Sequence, residues 1–452
     1  MLLTEEHRIK KDGNKALFRK IDDYCFRAKN LHNSVNYLIK QCDRIQRKLY
    51  AGENLEPWEA EMTDRINEGI RLYNAGRAKG GQRQYVDGNN GFVADAYFLS
   101  WYLKASSEYK AMPYATCSQI CIQELCRSWK SYYKSVREYQ KDKRRFTGRP
   151  KKPGYLDPKE GREWLVITSQ NFTIKEDGSI RMPGFLNGIR IKARHPNIRQ
   201  IRIKTEKSCI RVLLVYEAKE EKGEKGVYPS KTTSNLKAMG IDLGVNNLIT
   251  AVWTSDDTPI IISGKPLKSI NQFYNRKKAS LQAAAQKGNG KKMTRRIESL
   301  TQKRNRKVKD ALHKASRKIV ELAAKTGTGV IIIGNNKGWK QNVKLGNRTN
   351  QNFVAIPHLV LIEMIRYKAA LKRIEVRVIE EAYTSGTSYL DGEMPKAEFY
   401  NKSRRIHRGM FCSNAGVCIN ADVNAAYQIL KAGGIKDLKI KNAEPVKKIK
   451  AA

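Results

Sequence analysis

The spacing of apolar residues changes twice along this chain of 452 residues. From about 17 to 145, apolar side chains recur three and four positions apart, which predicts amphipathic helices. From 163 to 218 the spacing is two, and turn signals such as Asp177-Gly178 separate the short runs, which predicts a small β-barrel. From 236 onward, apolar strands alternate with helical segments, which is typical of an α/β domain. A multidomain chain is therefore predicted.

The charge of the chain indicates the kind of partner. Lys and Arg number 87 against 44 Asp and Glu, which is a formal net charge of +43. Because 40% of the residues are apolar, the chain has enough apolar residues to form buried cores, so this is not a disordered basic tail. A folded protein with such an excess is expected to bind a polyanion, and nucleic acid is the commonest one. The N-terminus lacks the pattern of a signal peptide. The sequence has no long uncharged apolar run, so no membrane span is predicted.

The eight cysteines favour a reducing compartment. Cys117, Cys121 and Cys126 lie at near-helical spacing in an apolar stretch, which predicts core thiols and not metal ligands. Cys412 and Cys418 are separated by five residues, a spacing that fits no standard zinc ribbon. A secreted disulfide scaffold is therefore not expected.

Acidic residues occur at the ends of elements in the α/β part. Asp242 closes one strand, Glu380 and Glu381 follow another, and Asp422 opens the final helix. Each alone is more often a turn former, a cap or an ion-pair partner, and Asp422 has a ready explanation at a helix N-terminus. Together, in a basic domain, they predict a Mg²⁺ site for phosphodiester cleavage, with Mn²⁺ as a substitute. Two ions about 4 Å apart can stabilise the attacking and the leaving oxygen.

Several of these segments resemble motifs of one family. Residues 240–248, Gly-Ile-Asp-Leu-Gly-Val-Asn-Asn-Leu, resemble the first RuvC motif of TnpB proteins, and 422–430 resemble the third. Residues 382–385 are similar to the "YTS" loop, and Arg149-Pro150-Lys151 to a basic turn of the same family. TnpB proteins are transposon-encoded RNA-guided DNA endonucleases, related to compact type V CRISPR effectors. The order of the parts matches over nearly the whole chain.

The resemblance implies a helical recognition lobe inserted in an oligonucleotide-binding-like β-barrel, followed by an α/β RuvC nuclease domain of RNase H-like fold. The implied parts are a first barrel (wedge) segment at 1–16, the recognition lobe at 17–148, the barrel and a linker at 149–235, the RuvC domain with a basic helical insertion at 236–381, a lid that binds target nucleic acid at 382–421, and the final helix with a basic tail at 422–452.

The first departure from the family concerns a metal ligand. In most relatives the central strand ends in a glutamate, whereas the strand Val330 to Ile333 here ends in Gly334. One interpretation is an inactivated nuclease. The other is that Glu381, after the neighbouring strand, has taken over the role, with Gly334 leaving the path clear. We favour the relocated glutamate, because Asp242 and Asp422 are both retained. Glu380 is the weaker candidate, because strand alternation points it to the opposite face from Glu381.

The second departure concerns zinc, since the ribbon cysteines of the family are missing and Cys412 and Cys418 are at best remnants. We predict no structural zinc. The lid is then expected to be held by packing, with the candidates Tyr389, Phe399, Tyr400 and Phe411.

Basic residues outside the acidic site are candidates for nucleic-acid binding. Trp339 is expected either to stack on a base or to be buried, and the lid cations either contact phosphates or form a solvated charge run. Helices within 266–325 are expected to line an RNA–DNA duplex, which they would recognise by its shape. The candidate contacts are Arg149, Lys151, Lys152, Arg295, Arg296, Arg304, Lys337, Trp339, Lys340, Arg404 and Arg408.

The predicted function is an RNA-guided DNA endonuclease, in the prokaryotic cytoplasm and associated with the nucleoid. It would bind a structured guide RNA, recognise a short flanking motif on target DNA, form an RNA–DNA heteroduplex and cut with Asp242, Glu381, Asp422 and Mg²⁺. No membrane and no small-molecule cofactor is expected. The alternatives are a nuclease-inactive RNA-guided repressor and an unguided RNA-binding or transposition accessory protein.

Overall fold

A computed structural model describes residues 1–77, 81–87, 94–218, 237–255, 257–289, 294–335, 356–407, 409–435 and 446–449. The chain divides into two compact units, Met1–Ala218 and Lys219–Ala452. The multidomain α/β architecture expected from the sequence is confirmed. In the described parts of the chain, no helix combines the length and the apolar composition that a membrane span requires.

The first unit holds five helices and six strands in its described residues. They are β1 Leu2–Lys10, α1 Lys15–Tyr50, α2 Pro57–Asn74, α3 Ala96–Tyr102, α4 Ser107–Lys110, α5 Ala115–Lys141, β2 Leu165–Thr168, β3 Thr173–Ile174, β4 Ile180–Arg181, β5 Ile198–Glu206 and β6 Cys209–Glu217.

An antiparallel sheet of order β1-β6-β5-β2 organises this unit. Because β1 precedes all five helices and pairs with β6, which follows them, the helices are inserted between two neighbouring strands of one sheet. Residues 189–191, which lie in the period-two stretch at 163–218 where short strands were predicted, do not form a strand, and an isolated bridge joins Lys192 to Ser179. Its apolar residues Ile189 and Ile191 are nevertheless buried in the core of this unit.

The second unit contains the three acidic candidates Asp242, Glu381 and Asp422. Its elements are β7 Ala238–Asp242, β8 Asn247–Trp253, β9 Ile260–Ser263, α6 Lys265–Asn289, α7 Arg295–Lys325, β10 Val330–Gly334, α8 His358–Leu371, β11 Glu375–Ile379, β12 Met410–Cys412, β13 Cys418–Asn420, α9 Ala421–Ala432 and β14 Lys447–Ile449.

Six of these strands form one mixed sheet of order β11-β10-β7-β8-β9-β14. β7, β8 and β9 are antiparallel neighbours, whereas β10 and β11 run parallel to β7. Alternate residues of a strand point to opposite faces of the sheet. Ile331 and Ile333 of β10 belong to a core shared with α7 and α8, whereas Val330 and Ile332 belong to a core shared with α9. In the described residues, the unit is therefore a three-layer α/β/α arrangement, with α9 on one face of the sheet and α7 and α8 on the other.

The end of the chain differs from the sequence-based expectation. The basic segment from Gly433 was expected to be a solvated tail, but Lys447–Ile449 forms β14 and pairs in parallel with Ile260–Ile262 of β9. Ile449 packs against the apolar core on the α7 side. The open hydrogen-bonding edge of β9 explains the pairing, because an unpaired edge strand can accept a further strand.

Candidate active site

Three carboxylates lie on the α9 side of the six-stranded sheet. Asp242 ends β7 and shares the face of Ala238, which packs against α9. Glu381 lies two residues after Ile379, the last residue of β11, so strand alternation places both on the same side of the sheet. Ile379 packs against the core that contains α9. Asp422 lies in the first turn of α9 itself. Three separate elements therefore bring one carboxylate each to the same side of the sheet.

A glycine in β7 allows α9 to approach the sheet closely. A Cβ atom added at Gly240 would lie 2.5 Å from the carbonyl oxygen of Ala426 and 2.7 Å from Cγ of Leu430. Backbone of the helix and backbone of the strand are thus in contact where any side chain would separate them. This packing holds Asp422 next to the end of β7.

The carboxylate of Glu381 lies over Gly334 of β10. A Cβ atom at Gly334 would lie 2.9 Å from Oε2 of Glu381 and 2.5 Å from Cδ1 of Ile429. The hydroxyl of Thr384 donates a hydrogen bond to Oε1 of Glu381 at 3.1 Å. Glu380 is exposed. The absent side chain at Gly334 therefore leaves the space that Glu381 occupies.

The proximity of the carboxylates raises the pKa values of two of them. Burial raises the pKa of Asp242 well above its ordinary 3.8, and the negative charges of Glu381 and Asp422 raise it further. Burial, together with the charge of Asp422, also raises the pKa of Glu381, against the lowering effect of the Thr384 hydrogen bond. Such a group of carboxylates requires protons or a cation to offset the repulsion.

The donor set fits a hard divalent cation. Within the parts of the chain that the structure describes, no three His, Cys, Asp or Glu side chains form a ready-made metal cage. Asp242, Glu381 and Asp422 nevertheless lie close enough for the charge of Asp422 to act on both of the others. All three offer only carboxylate oxygens, the ligands that Mg²⁺ prefers over the nitrogen and sulfur ligands of zinc sites.

Two further side chains orient Asp422, and the sequence analysis assigned neither this role. Nδ2 of Asn247 donates a hydrogen bond to Oδ2 of Asp422 at 2.7 Å. Nη2 of Arg405 lies 3.6 Å from Oδ1, and its positive charge lowers the pKa of Asp242. Asn420 caps α9 by accepting hydrogen bonds from the backbone N–H groups of Asp422 and Val423. The presence of Asn247 in the 240–248 motif was the one available signal.

The lid is held by α9. Asn424 is fully buried, accepts a hydrogen bond from the backbone N–H of Tyr389 at 2.9 Å and donates one to the carbonyl oxygen of Thr387 at 2.8 Å. The ring of Tyr389 stacks on Tyr427 with centroids 4.2 Å apart. The helix that carries Asp422 therefore also positions the loop after Glu381.

The expected lid packing is right for two of the four aromatic residues. Tyr389 and Phe411 are buried, whereas Phe399 and Tyr400 are each 41% exposed. Tyr400 instead covers Gly386, where an added Cβ would lie 2.5 Å from its ring.

Cysteines contribute to the cores and to the lid. Cys117, Cys121 and Cys126 are buried, and burial raises the pKa of Cys117 to about 11, which confirms that they are core thiols. Cys412 and Cys418 form a disulfide that joins β12 to β13. The sequence analysis did not expect this bond, because it treated the two residues as remnants of a ribbon, whereas the hairpin places them directly opposite each other.

Three of the expected nucleic-acid contacts are engaged by protein groups. Arg404 pairs with Glu393 at 2.7 Å and is almost covered, so it braces the lid. Arg304 donates to Asn271 at 2.7 Å and so links α7 to α6. Lys152 pairs with Asp43 at 2.6 Å.

The other candidate contacts fall into two groups. Arg149, Lys151, Arg295 and Arg296 are exposed. Lys337, Trp339, Lys340 and Arg408 lie outside the described residues.

Two protein-family models match parts of the chain between 203 and 429. The model OrfB_IS605, a probable transposase, matches 203–340, and the Cas12f1-like TNB domain matches 358–429. Asp242 lies in the first match, and Glu381 and Asp422 lie in the second. Over these residues the chain is similar to TnpB-type transposases and to compact type V effectors. The resemblance stated from the motifs is thereby confirmed.

The chain is also similar to individual proteins. It is 28% identical over 198 residues to the CRISPR-associated endodeoxyribonuclease Cas12f1 of Syntrophomonas palmitatica, and this match covers 41% of the chain and 37% of that protein. The chain thus matches little more than a third of the length of this curated relative.

Solved structures resemble the chain more distantly. A Cas12f1–sgRNA–target DNA complex has a TM-score of 0.34 at 16% identity, over 95% of this chain and 98% of that chain. C2c1 of Alicyclobacillus acidoterrestris with single-guide RNA has a TM-score of 0.40 at 10% identity, over 89% and 69%. Likeness at this level does not establish a shared fold.

Proposed function

We propose that this chain is an RNA-guided DNA endonuclease whose single RuvC site is built from Asp242, Glu381 and Asp422 and hydrolyses phosphodiester bonds with Mg²⁺. The observation that carries the proposal is the convergence of three carboxylates, with raised pKa values for Asp242 and Glu381, on one face of a sheet. Although the chain has a net charge of +43, only Asp422 of the three forms an ion pair among the described residues, with Arg405 at 3.6 Å. A cluster that retains its mutual repulsion is suited to a divalent cation.

The residues of the chain divide the work at this site. When bound, Mg²⁺ supplies positive charge that stabilises the attacking and leaving oxygens of the phosphodiester. Asp242, Glu381 and Asp422 would hold the ion, and Asn247 fixes Asp422 by donating to its Oδ2, while Oδ1 lies 3.6 Å from Nη2 of Arg405. The guanidinium of Arg405 is 39% exposed beside Oδ1 and is placed to donate to a phosphate oxygen.

The finer fold assignments belong to the same proposal. An RNase H-like RuvC domain is supported by three antiparallel strands, β7 to β9, extended by the parallel strands β10 and β11. A wedge barrel carrying an inserted recognition lobe is supported by the pairing of β1 with β6 around the helices. The domain boundaries derived from the resemblance are retained as proposals.

Guide RNA and target DNA are the proposed partners, and an RNA–DNA heteroduplex is the proposed intermediate state. The similarity to a CRISPR-associated endodeoxyribonuclease and the excess of cations support a polyanionic partner of this kind. A short flanking motif on the DNA would be recognised by the first unit. No structural zinc is proposed, because hydrogen bonds from Asn424 and the Cys412–Cys418 disulfide hold the lid.

A plasmid-cleavage assay tests the proposal. RNA that copurifies with the protein is sequenced, its guide segment is redirected to a plasmid that carries a library of flanking sequences, and Mg²⁺ is added. We expect cleavage of plasmids with one flanking motif and none without the guide. Guided binding without any cleavage would instead identify a repressor, and binding of RNA that never directs the protein to DNA would identify an accessory protein.

Gly334→Ala tests the space that Glu381 requires. The added Cβ would lie 2.9 Å from Oε2 of Glu381 and 2.5 Å from Ile429, so the carboxylate has to move. We expect guided cleavage to fall by about 10- to 100-fold, as for loss of a group that orients a metal ligand. Gly288→Ala, in α6, is the control, because an added Cβ there meets nothing within 4 Å and the backbone is helical. Full cleavage by Gly334→Ala would contradict the assigned position of Glu381.

A further inference from the structure

A disulfide joins the two strands of the β12–β13 hairpin, which comes directly before the helix that carries Asp422. Cys412 and Cys418 lie opposite each other in the register of the hairpin. Cys412 is buried, whereas Cys418 is exposed to solvent. A small thiol or disulfide in solution can therefore approach the bond from the Cys418 side. The proposed nuclease chemistry uses neither sulfur atom.

The other six cysteines are free thiols, and all of them are buried. Burial raises the pKa of Cys25 to about 11 and the pKa of Cys42 to about 12. Burial likewise raises the pKa of Cys126 to about 12. Since the thiolate is the reactive form, such thiols exchange slowly with disulfides in solution. A mild thiol buffer is therefore expected to act on the Cys412–Cys418 pair first.

Apart from the disulfide, the hairpin is held by short and local contacts. Each of its strands has three residues, and a two-stranded hairpin is at best marginally stable by itself. Phe411 and Ile419 pack with Ala421 in a small apolar cluster. Hydrogen bonds of Ser413 with Val417 close the turn between the strands. Breaking the disulfide should therefore let the hairpin open more often, while the rest of the unit stays folded.

The hairpin is directly connected to the start of α9. Asn420, the last residue of β13, caps the helix by accepting hydrogen bonds from the backbone N–H groups of Asp422 and Val423. The backbone N–H of Ala421 donates to the carbonyl oxygen of Gly409, next to β12, at 3.1 Å. Opening of the hairpin would remove both restraints, so the position of Asp422 depends on how firmly the two strands are joined.

We propose that Cys412 and Cys418 form a thiol–disulfide exchange site, and that its disulfide form holds Asp422 where it binds the cation. The cysteine content of the chain favours a reducing compartment, in which a disulfide is usually transient and serves to sense the redox state. The exchange itself is independent of the nuclease proposal, whereas its effect on cation binding rests on that proposal.

Exchange with a disulfide of the glutathione class balances in atoms and electrons. The thiolate of Cys418 attacks one sulfur of the glutathione disulfide, which releases one glutathione thiolate and leaves a mixed disulfide. The thiolate of Cys412 then attacks Sγ of Cys418, forms the Sγ–Sγ bond and releases the second glutathione. The two protein thiols lose two protons and two electrons, and the glutathione disulfide becomes two glutathione thiols. Reduction by two glutathione molecules is the reverse.

The test equilibrates the full chain, freed of copurifying RNA, in buffers that range from reduced glutathione alone to glutathione disulfide alone. Thiols are trapped with N-ethylmaleimide, and mass spectrometry gives the fraction of the Cys412–Cys418 disulfide. At each ratio, hydrogen exchange is measured for peptides that cover 418–424, and Mn²⁺ binding is measured by electron paramagnetic resonance. Cys418→Ser cannot form the bond. Val417→Ser is the matched control, because Val417 is a 52% exposed neighbour and both cysteines remain.

We expect the pair to change from thiols to disulfide across the series. The reduced protein should exchange the amides of 418–424 at least about threefold faster and bind Mn²⁺ about 3- to 10-fold more weakly than the disulfide form. Cys418→Ser should behave as the reduced wild type in every buffer, whereas Val417→Ser should respond as the wild type does.

The possible failures are distinguishable. A disulfide that stays closed in reduced glutathione, as a purely structural bond would, or one that never forms would overturn the exchange site. Equal hydrogen exchange and equal Mn²⁺ affinity in the two forms would overturn the coupling to Asp422. If hydrogen exchange changes but neither form binds Mn²⁺, the exchange site stands and the proposed cation site is wrong.

Discussion

Asp242→Asn is expected to abolish DNA cleavage and at the same time to raise the thermal stability of the metal-free protein. Cleavage should fall at least about 1,000-fold, which corresponds to about 4 kcal/mol of barrier, because an amide lacks the charge that holds a cation. Stability should rise because the carboxylate at this position is buried beside Glu381 and Asp422 and its pKa is raised. A neutral side chain removes that repulsion.

The stability gain should depend on pH in a defined direction. A carboxyl whose pKa is raised in the folded state destabilises that state as pH rises from its ordinary 3.8 through the raised value. Asp242→Asn should therefore unfold about 2–4 °C higher than the wild type at pH 8 without Mg²⁺, which is about 1 kcal/mol for a unit of this size, and the difference should vanish near pH 4. Calorimetry at both pH values measures it.

The control for this variant is the wild type with added Mg²⁺, which should gain stability at pH 8, whereas Asp242→Asn should gain much less. Cleavage by Asp242→Asn at the wild-type rate would contradict the proposed mechanism. A loss of stability at pH 8 would contradict the carboxylate cluster itself.

Glu381→Gln should be as inactive as Asp242→Asn, whereas Glu380→Gln should cleave within about threefold of the wild type. The two residues are neighbours, carry the same charge and differ in position: Glu381 lies over Gly334 and Glu380 is exposed. Removing the proposed metal ligand should cost at least about 1,000-fold in rate. Single-turnover cleavage with a saturating guide measures both variants.

Two other results for this pair of variants would contradict the prediction. An inactive Glu380→Gln with an active Glu381→Gln would show that the strand-alternation argument is wrong. Full activity in both would place the second metal ligand elsewhere. Retained guide-RNA binding by Glu381→Gln, measured by the amount of RNA that copurifies, is the control for correct folding.

The division of the chain into helical and strand-rich parts could be predicted because the period of apolar residues differs between a helix and a strand. The relocated glutamate was also accessible from the sequence as a hypothesis. Gly334 ends the strand where the family resemblance implies a carboxylate, and Glu381 has the right parity along the following strand. Periodicity cannot measure proximity, so the position of Glu381 over Gly334 came from the packing.

Other features could not be derived from local pattern. Arg404 and Arg405 are adjacent basic residues in one loop, and the sequence gives no reason to distinguish them. In the structure Arg404 pairs with Glu393 inside the lid, whereas Arg405 reaches toward Asp422. Likewise β14 consists of a basic segment that reads as a tail until the open edge of β9 is known.

The sequence by itself determined the order of the elements, the family resemblance and the three acidic candidates, because each of these depends on residues that are close together along the chain. The tertiary structure decided which groups meet: Asp422 with Asn247 and Arg405, Glu381 with the space over Gly334, and α9 with the lid. These contacts depend on the distances between packed elements, such as the close approach of α9 to β7 that Gly240 allows. A local sequence pattern does not report those distances.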